Sequence, residues 1–268
     1  MTTTAPTPAL GLADVVDRVR AHAPLVHCIT NSVVTNVTAN VLLAAGASPA
    51  MVDTAEEAGV LAGVAGGLLV NLGTLTPVQI GGIDAAVGAA ARAGVPWVLD
   101  PVAIGVLPVR TALAGELLGR RPAVVRGNAS EIAALAGGAG GRGVDSLAAP
   151  DDVADIARDL ARRHTTVVAV SGPRDLITDG DRVVRIAAGH SLMTRVTGVG
   201  CALGALVAAC AAVEDDAVLA AAAATAWLCV AAEEAAAASS GPGTFAVALL
   251  DRLAAVDAGS VATRAGSA

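Results

Sequence analysis

Apolar residues recur along this chain with two alternating spacings. Leu12, Val15, Val16 and Val19 stand at helical intervals with Asp14, Asp17, Arg18 and Arg20 between them, which predicts an amphipathic helix over residues 12–21. A compact apolar run at 25–29 predicts a strand; the polar cluster Thr30-Asn31-Ser32 then opens a helix over 33–45 that Gly46 stops. Residues 49–52 suit a short strand. Thr54-Ala55-Glu56-Glu57 has the spacing of a capping box, with Thr54 serving the N3 amide and Glu57 reaching back, and it starts a helix to about Ala65. Residues 68–72 predict a buried strand, and Thr76-Pro77-Val78-Gln79 a second capping box with proline at N1 of a helix running to Gly94. The strand at 97–100 is stopped by Pro101, and the strand at 123–126 leads into Gly127-Asn128-Ala129-Ser130-Glu131 and a further helix. A helix over 151–164 and a strand over 166–170 follow. Residues 176–187, centred on Thr178-Asp179-Gly180-Asp181, predict an antiparallel hairpin. Beyond Cys201 the chain reads as helical to its end, with breaks at Asp215-Asp216 and Gly241-Pro242-Gly243.

Strand, polar loop, helix, strand is the βαβ rhythm, which predicts an α/β fold: a three-layer α/β/α sandwich with a mainly parallel central sheet and no separate lid domain. One domain over 12–256 is expected, between loose tails at 1–11 and 257–268. Right-handed crossovers place every strand-end loop on one edge, where ligands of such sheets bind. Asn31, Asp100, Arg126, Glu131 and Ser171 all fall at or just past strand ends.

Composition narrows the range of partners. The 268 residues are 54% apolar, mostly through alanine, and the aromatic residues are Trp97, Trp227 and Phe245 alone. With a net charge of -7 and no basic run, a nucleic-acid surface is not expected. The run at 217–232 reads as too short and too weak for a membrane span, and the Thr- and Pro-rich start has no apolar leader. Cys28, Cys201, Cys210 and Cys229 show no zinc spacing, so reduced thiols in the cytoplasm are expected.

The candidate chemistry centres on Thr197-Gly198-Val199-Gly200-Cys201, which runs straight into an apolar helix. Glycines before a helix leave amides pointing outward where the dipole favours an anion, and a thiol there is expected to have a lowered pKa. The plainer alternative is a glycine-rich helix entry with a packed cysteine. No Gly-Lys-Ser/Thr follows, and Gly198, Gly200 and Gly204 miss the dinucleotide fingerprint. Asp100 and Glu131 can hold Mg²⁺ directly or through its waters, or serve as turn and helix-start carboxylates. Arg126 ending an apolar strand suits a phosphate or an ion pair. Ser171 can be a turn residue, Asn31 a helix cap and Met51 core. Together an anion loop, a thiol, an arginine and two carboxylates on one edge are the parts of Mg²⁺-assisted phosphoryl transfer.

Six collinear blocks resemble the hydroxyethylthiazole kinases of the ribokinase-like family: His27 to Asn36, Gly46 to Met51, Asn71 to Leu75, Leu99 to Val102, Arg126 to Ile132, and Thr197 to Cys201. The resemblance implies that Met51 and Gly198 contact the thiazole alcohol with Asn31 nearby, and that Arg126, Ser171 and Asn128 serve ATP. It implies that Asp100 and Glu131 organise Mg²⁺ and that Cys201 lies beside the hydroxyl to be phosphorylated, with Gly198 and Gly200 in the catalytic loop. Cys201 stands where wider relatives have aspartate, while Ser171 and Val199 stand where the family commonly has threonine. A homotrimer with pockets between subunits is also implied. The rival readings are a kinase for a hydroxymethylpyrimidine or pyridoxal-like alcohol, and a non-catalytic thiazole- or nucleotide-binding protein.

Overall fold

The computed structural model describes residues 9–137 and 149–266. In chain order its regular elements begin with α1 Ala9–His22, β1 Leu25–Ile29, α2 Thr35–Ala44, β2 Ser48–Ala50, α3 Ala55–Ala62, β3 Gly67–Asn71, α4 Pro77–Ala93 and β4 Trp97–Asp100. There follow α5 Pro108–Leu118, β5 Val124–Asn128, α6 Ala129–Leu135, α7 Ala154–His164, β6 Val167–Ser171 and the hairpin β7 Asp175–Thr178 with β8 Val183–Ile186. The chain closes with α8 Val199–Ala211, α9 Ala217–Ala237, α10 Pro242–Ala255 and α11 Ala258–Gly266.

One eight-stranded sheet has the order β2-β1-β3-β4-β5-β6-β7-β8, parallel through β6 and antiparallel at β7 and β8. Successive side chains of a strand face opposite layers, and the two cores show it. Leu69 joins Val26, Val98 and Val124 against α1, α8, α9 and α10, whereas its neighbours Leu68 and Val70 join Leu99 and Val125 against α3, α4, α5, α6 and α7. Helices thus cover both faces, and the expected α/β/α layering is present.

Alanine and glycine bring α8 unusually close to the sheet. A Cβ on Gly67 would stand 2.4 Å from the Ala208 carbonyl oxygen, and one on Gly204 would stand 3.0 Å from Leu69 Cδ1. That approach sets the start of α8 against the carboxyl ends of β3 and β4.

Several boundaries differ from expectation. The Thr76 box forms, with Gln79 N–H donating to Thr76 Oγ1 at 3.2 Å, and Gly94 ends α4 in the left-handed region at φ 70°. The Thr54 box does not: Thr54 is the N-cap of α3 but makes no side-chain cap, its backbone carbonyl receiving Glu57 and Ala58 instead. Helix α5 was not expected, since its burial is confined to Ala114, Leu117 and Leu118 and leaves little periodic signal. Neither tail is loose as far as it is described. Helix α1 opens at Ala9, and α11 occupies most of the C-terminal segment, with Val261 fully buried and Arg264 paired to Glu233 and Glu234. The remaining tail residues, 1–8 and 267–268, lie outside the described residues. Helix α9 corrects the reading of 217–232 as too short: its 21 residues are long and apolar enough to cross a membrane, but α1, α8, α10 and α11 pack around it and bury most of it.

Candidate active site

The sheet order reverses beside β1, which has β2 on one side and β3 on the other. Ligands of open α/β sheets bind at such a switch point. The two loops that flank it are tied together, Ser32 N–H donating to Thr74 Oγ1 at 2.8 Å. Gln79 Nε2 donates to the Thr30 carbonyl at 2.9 Å, so the helix that follows β3 also anchors the end of β1.

From this crevice a polar array crosses the carboxyl-end region of five strands, β1, β3, β4, β5 and β6. Asn31 Nδ2 lies 3.0 Å from Asn71 Oδ1 and 3.4 Å from Cys201 Sγ. Asn71 Nδ2 donates to Asp100 Oδ2 at 2.8 Å, and the Arg126 guanidinium is 3.7 Å from that same oxygen. Arg126 Nη2 then donates to Ser171 Oγ at 2.8 Å. Asn31, Asp100, Arg126, Ser171 and Cys201 are therefore gathered in one array, as the strand-end rule expects.

The glycine loop meets the array from above. Gly198 is the N-cap of α8 at φ 91° and supplies no side-chain cap, so the first-turn amides are left for another acceptor. A Cβ at Gly198 would come 3.0 Å from Val34 Cγ1, and one at Gly200 would come 3.3 Å from an Arg126 guanidinium nitrogen. Val199, at the first helical position, is buried.

The charges of the site oppose the expectation for the thiol. Burial and the nearby Asp100 carboxylate raise the Cys201 pKa, outweighing Asn71, Arg126 and Asn31, so the helix start does not leave a ready thiolate. Burial also lifts the Asp100 carboxyl to about 7, against the opposing pull of Arg126 and with a further push from Glu131.

Glu131 takes the helix-start role that the sequence offered as the alternative to a cation ligand. It is the N3 residue of a capping box on α6: its Oε2 accepts the Asn128 N–H at 2.8 Å while Asn128 Oδ1 accepts the Glu131 N–H at 2.9 Å. Its other oxygen accepts the Ala103 N–H at 2.8 Å, binding the loop after β4. Asn128, expected beside ATP, is thus the helix cap, and Ser130 Oγ also donates to its Oδ1 at 2.8 Å. Glu131 and Asp100 still suit a divalent cation. Glu131 makes the buried Asp100 charge costlier, a repulsion that a cation relieves, and two carboxylates are what a nucleotide-bound Mg²⁺ usually takes from protein. Among the described residues no cluster of three or more His, Cys, Asp or Glu side chains can enclose a metal by itself.

Met51 follows β2 and packs, half-buried, against the α1, α2 and α8 layer. Its segment is held by buried His27, whose Nε2 lies 2.6 Å from the Val52 carbonyl oxygen and therefore carries the proton. Two residues of the site escaped the sequence reading. Asn71 ends β3 as Asp100 ends β4, but the apolar run at 68–72 placed it inside the strand, so the strand-end rule passed over it. Asp175 gave no strand-end signal; it starts an edge hairpin, where it is buried, accepts the Gly172 N–H at 2.9 Å and is lifted to about 6 chiefly by burial.

A profile of the hydroxyethylthiazole kinase family matches residues 16–259. The chain belongs to that family. A hydroxyethylthiazole kinase of Cronobacter sakazakii is 55% identical over 242 residues, which are 90% of this chain and 91% of the relative. One of Clavibacter sepedonicus is 54% identical over 91% of this chain and 89% of its own length. Among solved structures, the hydroxyethylthiazole kinase protein of Pyrococcus horikoshii superposes with a TM-score of 0.85 at 38% identity, covering 92% of this chain and 93% of its own. A Bacillus subtilis pyridoxal kinase in an ADP complex shares the fold at a TM-score of 0.58 and 16% identity, over 77% of this chain and 90% of its own.

Proposed function

We propose that this chain transfers the γ-phosphoryl group of ATP to the primary alcohol of 4-methyl-5-(2-hydroxyethyl)thiazole, in the service of thiamine biosynthesis. Family membership supports the activity. The observation that carries the mechanism is the array itself, which joins a thiol at the uncapped start of α8 to Arg126 through Asn31, Asn71 and Asp100.

In this reading the thiazole alcohol lies between Met51, Asn31 and Gly198, with its hydroxyl at Cys201. Arg126 and Ser171 face the phosphates of ATP, near the Asn128 loop. The alcohol oxygen bonds to the γ-phosphorus as the bond to the β-phosphate oxygen breaks, and ADP leaves with that electron pair. First-turn amides of α8, Gly198 to Cys201, take the charge that gathers on the transferring oxygens, and Arg126 offsets charge on the leaving side. Mg²⁺, held by Asp100 and Glu131 directly or through water, would supply neutralisation of the phosphate charge. The alcohol proton passes to Cys201 Sγ. Because that thiol is raised, little thiolate exists at neutral pH, so positioning carries more of the rate than the base does.

We take the assembly to be a cytoplasmic homotrimer with the thiazole pockets between subunits. Exposed Val33, Val60 and Val64, at 62%, 73% and 72%, are apolar surface that a subunit contact would cover. Light scattering is expected to return three times the chain mass.

The activity is tested by ADP release from MgATP with the hydroxyethylthiazole, hydroxymethylpyrimidine or pyridoxal as acceptor. Turnover confined to the thiazole is expected. Turnover with another alcohol would move the assignment to that substrate, and folded protein inactive with all three would favour a binding role.

A further inference from the structure

Asn71 closes β3 at the switch point, and the orientation of its amide follows from a neighbour that can act in one way only. The Gly73 backbone N–H lies 3.0 Å from the Asn71 side-chain oxygen, and an N–H can only donate. Oδ1 is therefore the accepting side, and Nδ2 is the donor that meets Asp100 Oδ2 at 2.8 Å. The same Oδ1 accepts from Asn31 Nδ2 at 3.0 Å, which fixes the Asn31 amide in turn and directs its second proton to Cys201 Sγ at 3.4 Å. One backbone N–H thus orients two amides in series. Both are buried, at 3% and 5% exposure, so neither trades its partners for water. Glycine at 73 is what allows the closure, since a Cβ there would stand 2.5 Å from Asn31 Cβ.

We propose that Asn71 is a positioning residue for phosphoryl transfer, setting a donor on Cys201 at one end through Asn31 and a donor on Asp100 at the other. The inference rests on the reading of the site given above. Asn71 acts on groups that meet the substrates rather than on the substrates themselves. Its loss should therefore lower kcat and leave both KM values nearly unchanged.

The decisive variant is Asn71→Asp, which keeps an acceptor for Gly73 and Asn31 but turns an acceptor toward Asp100. With a melting profile close to that of the parent, kcat is expected to fall about 10- to 100-fold, with KM for the alcohol and for ATP within about threefold. A second readout needs no substrate. Iodoacetamide alkylation of Cys201, followed by mass spectrometry at one fixed pH, is expected to slow severalfold as the new carboxylate disfavours the thiolate. Cys28, Cys210 and Cys229 are buried and serve as internal controls. Asn71→Ser, smaller and uncharged, is carried alongside; it should show the same loss of kcat at steady KM, and it replaces the aspartate variant if that one does not fold. A cycle of Asn71→Ser with Asn31→Ala should give a double variant little worse than the worse single one. The proposal is overturned by kcat within twofold of the parent, by a loss confined to KM, by unchanged alkylation in Asn71→Asp, or by losses that multiply in the cycle. If the thiazole proves not to be the acceptor, alkylation still reads the array, so failure of the substrate assignment and failure of this inference are told apart.

Discussion

Asp100→Asn separates what the site costs the fold from what it does for the reaction. The Asp100 carboxyl is 1% exposed and lifted from its ordinary 3.8 to about 7, chiefly by burial. A folded-state pKa above the unfolded one means that protonation favours folding. Stability on this account is fully present below pH 3.8 and is lost as pH rises to the folded value near 7, after which the loss levels off. A shift of about three units corresponds to about 4 kcal/mol at the plateau. That shift is already net of the pull of Arg126; asparagine keeps the shape and removes the charge, but it buries an NH2 group whose desolvation costs about 1–3 kcal/mol, so the net gain expected is smaller, about 1–3 kcal/mol. For a chain of this size that is a rise in Tm of roughly 3–10 °C. The assay is thermal unfolding of metal- and nucleotide-free protein at pH 5 and at pH 8. The variant should gain over the parent at pH 8 and show little or no gain at pH 5, where most of the penalty is absent, while kcat falls at least about 100-fold through loss of the cation and phosphate contacts. A variant less stable than the parent at pH 8, or a difference that does not change with pH, would refute the reasoning.

Cys201→Ala should cost about tenfold in kcat, with the deficit widening as pH rises and the parent's thiol ionises; an unchanged kcat across the pH range would remove the base role. Arg126→Gln is expected to raise KM for ATP and lower kcat together, about 100-fold in kcat/KM, since it loses both the charge beside Asp100 and the bond to Ser171; steady-state kinetics at varied ATP would check this. Gly67→Ala places a methyl against the Ala208 backbone oxygen and should destabilise by about 1–3 kcal/mol in urea unfolding. Gly198→Ala adds left-handed strain at φ 91° to contact with Val34 and should depress kcat more than it depresses Tm.

Periodicity and punctuation carried the architecture. Buried parallel strands need continuous apolar runs, helices need a stripe, and each polar strand end marks where the chain leaves the core, so the layers, the hairpin and the reactive edge could all be read in one dimension. Asn31, Asp100, Arg126 and Ser171 were legible for that reason, and Cys201 because a glycine loop preceded it. Short-range chemistry was less decisive. Thr54 and Thr76 both open capping-box sequences, yet only Thr76 forms the box, while Glu131 spends both oxygens on backbone amides that a list of acidic residues does not reveal.

Tertiary structure decided what the groups at that edge are able to do. The sequence by itself places a thiol at a helix start, where the dipole lowers a pKa. The fold buries that thiol beside Asp100, and desolvation with like charge prevails because both act over a few ångströms in a medium that screens poorly. In the same way the sequence places Asn71 in the strand at 68–72. Only the sheet order, with β1 inserted between β2 and β3, brings it within a hydrogen bond of Asn31, forty positions earlier in the chain. Local pattern sets which element a residue joins, but the partners that fix its protonation and orientation come from strands distant in sequence, and these meet only when the core closes.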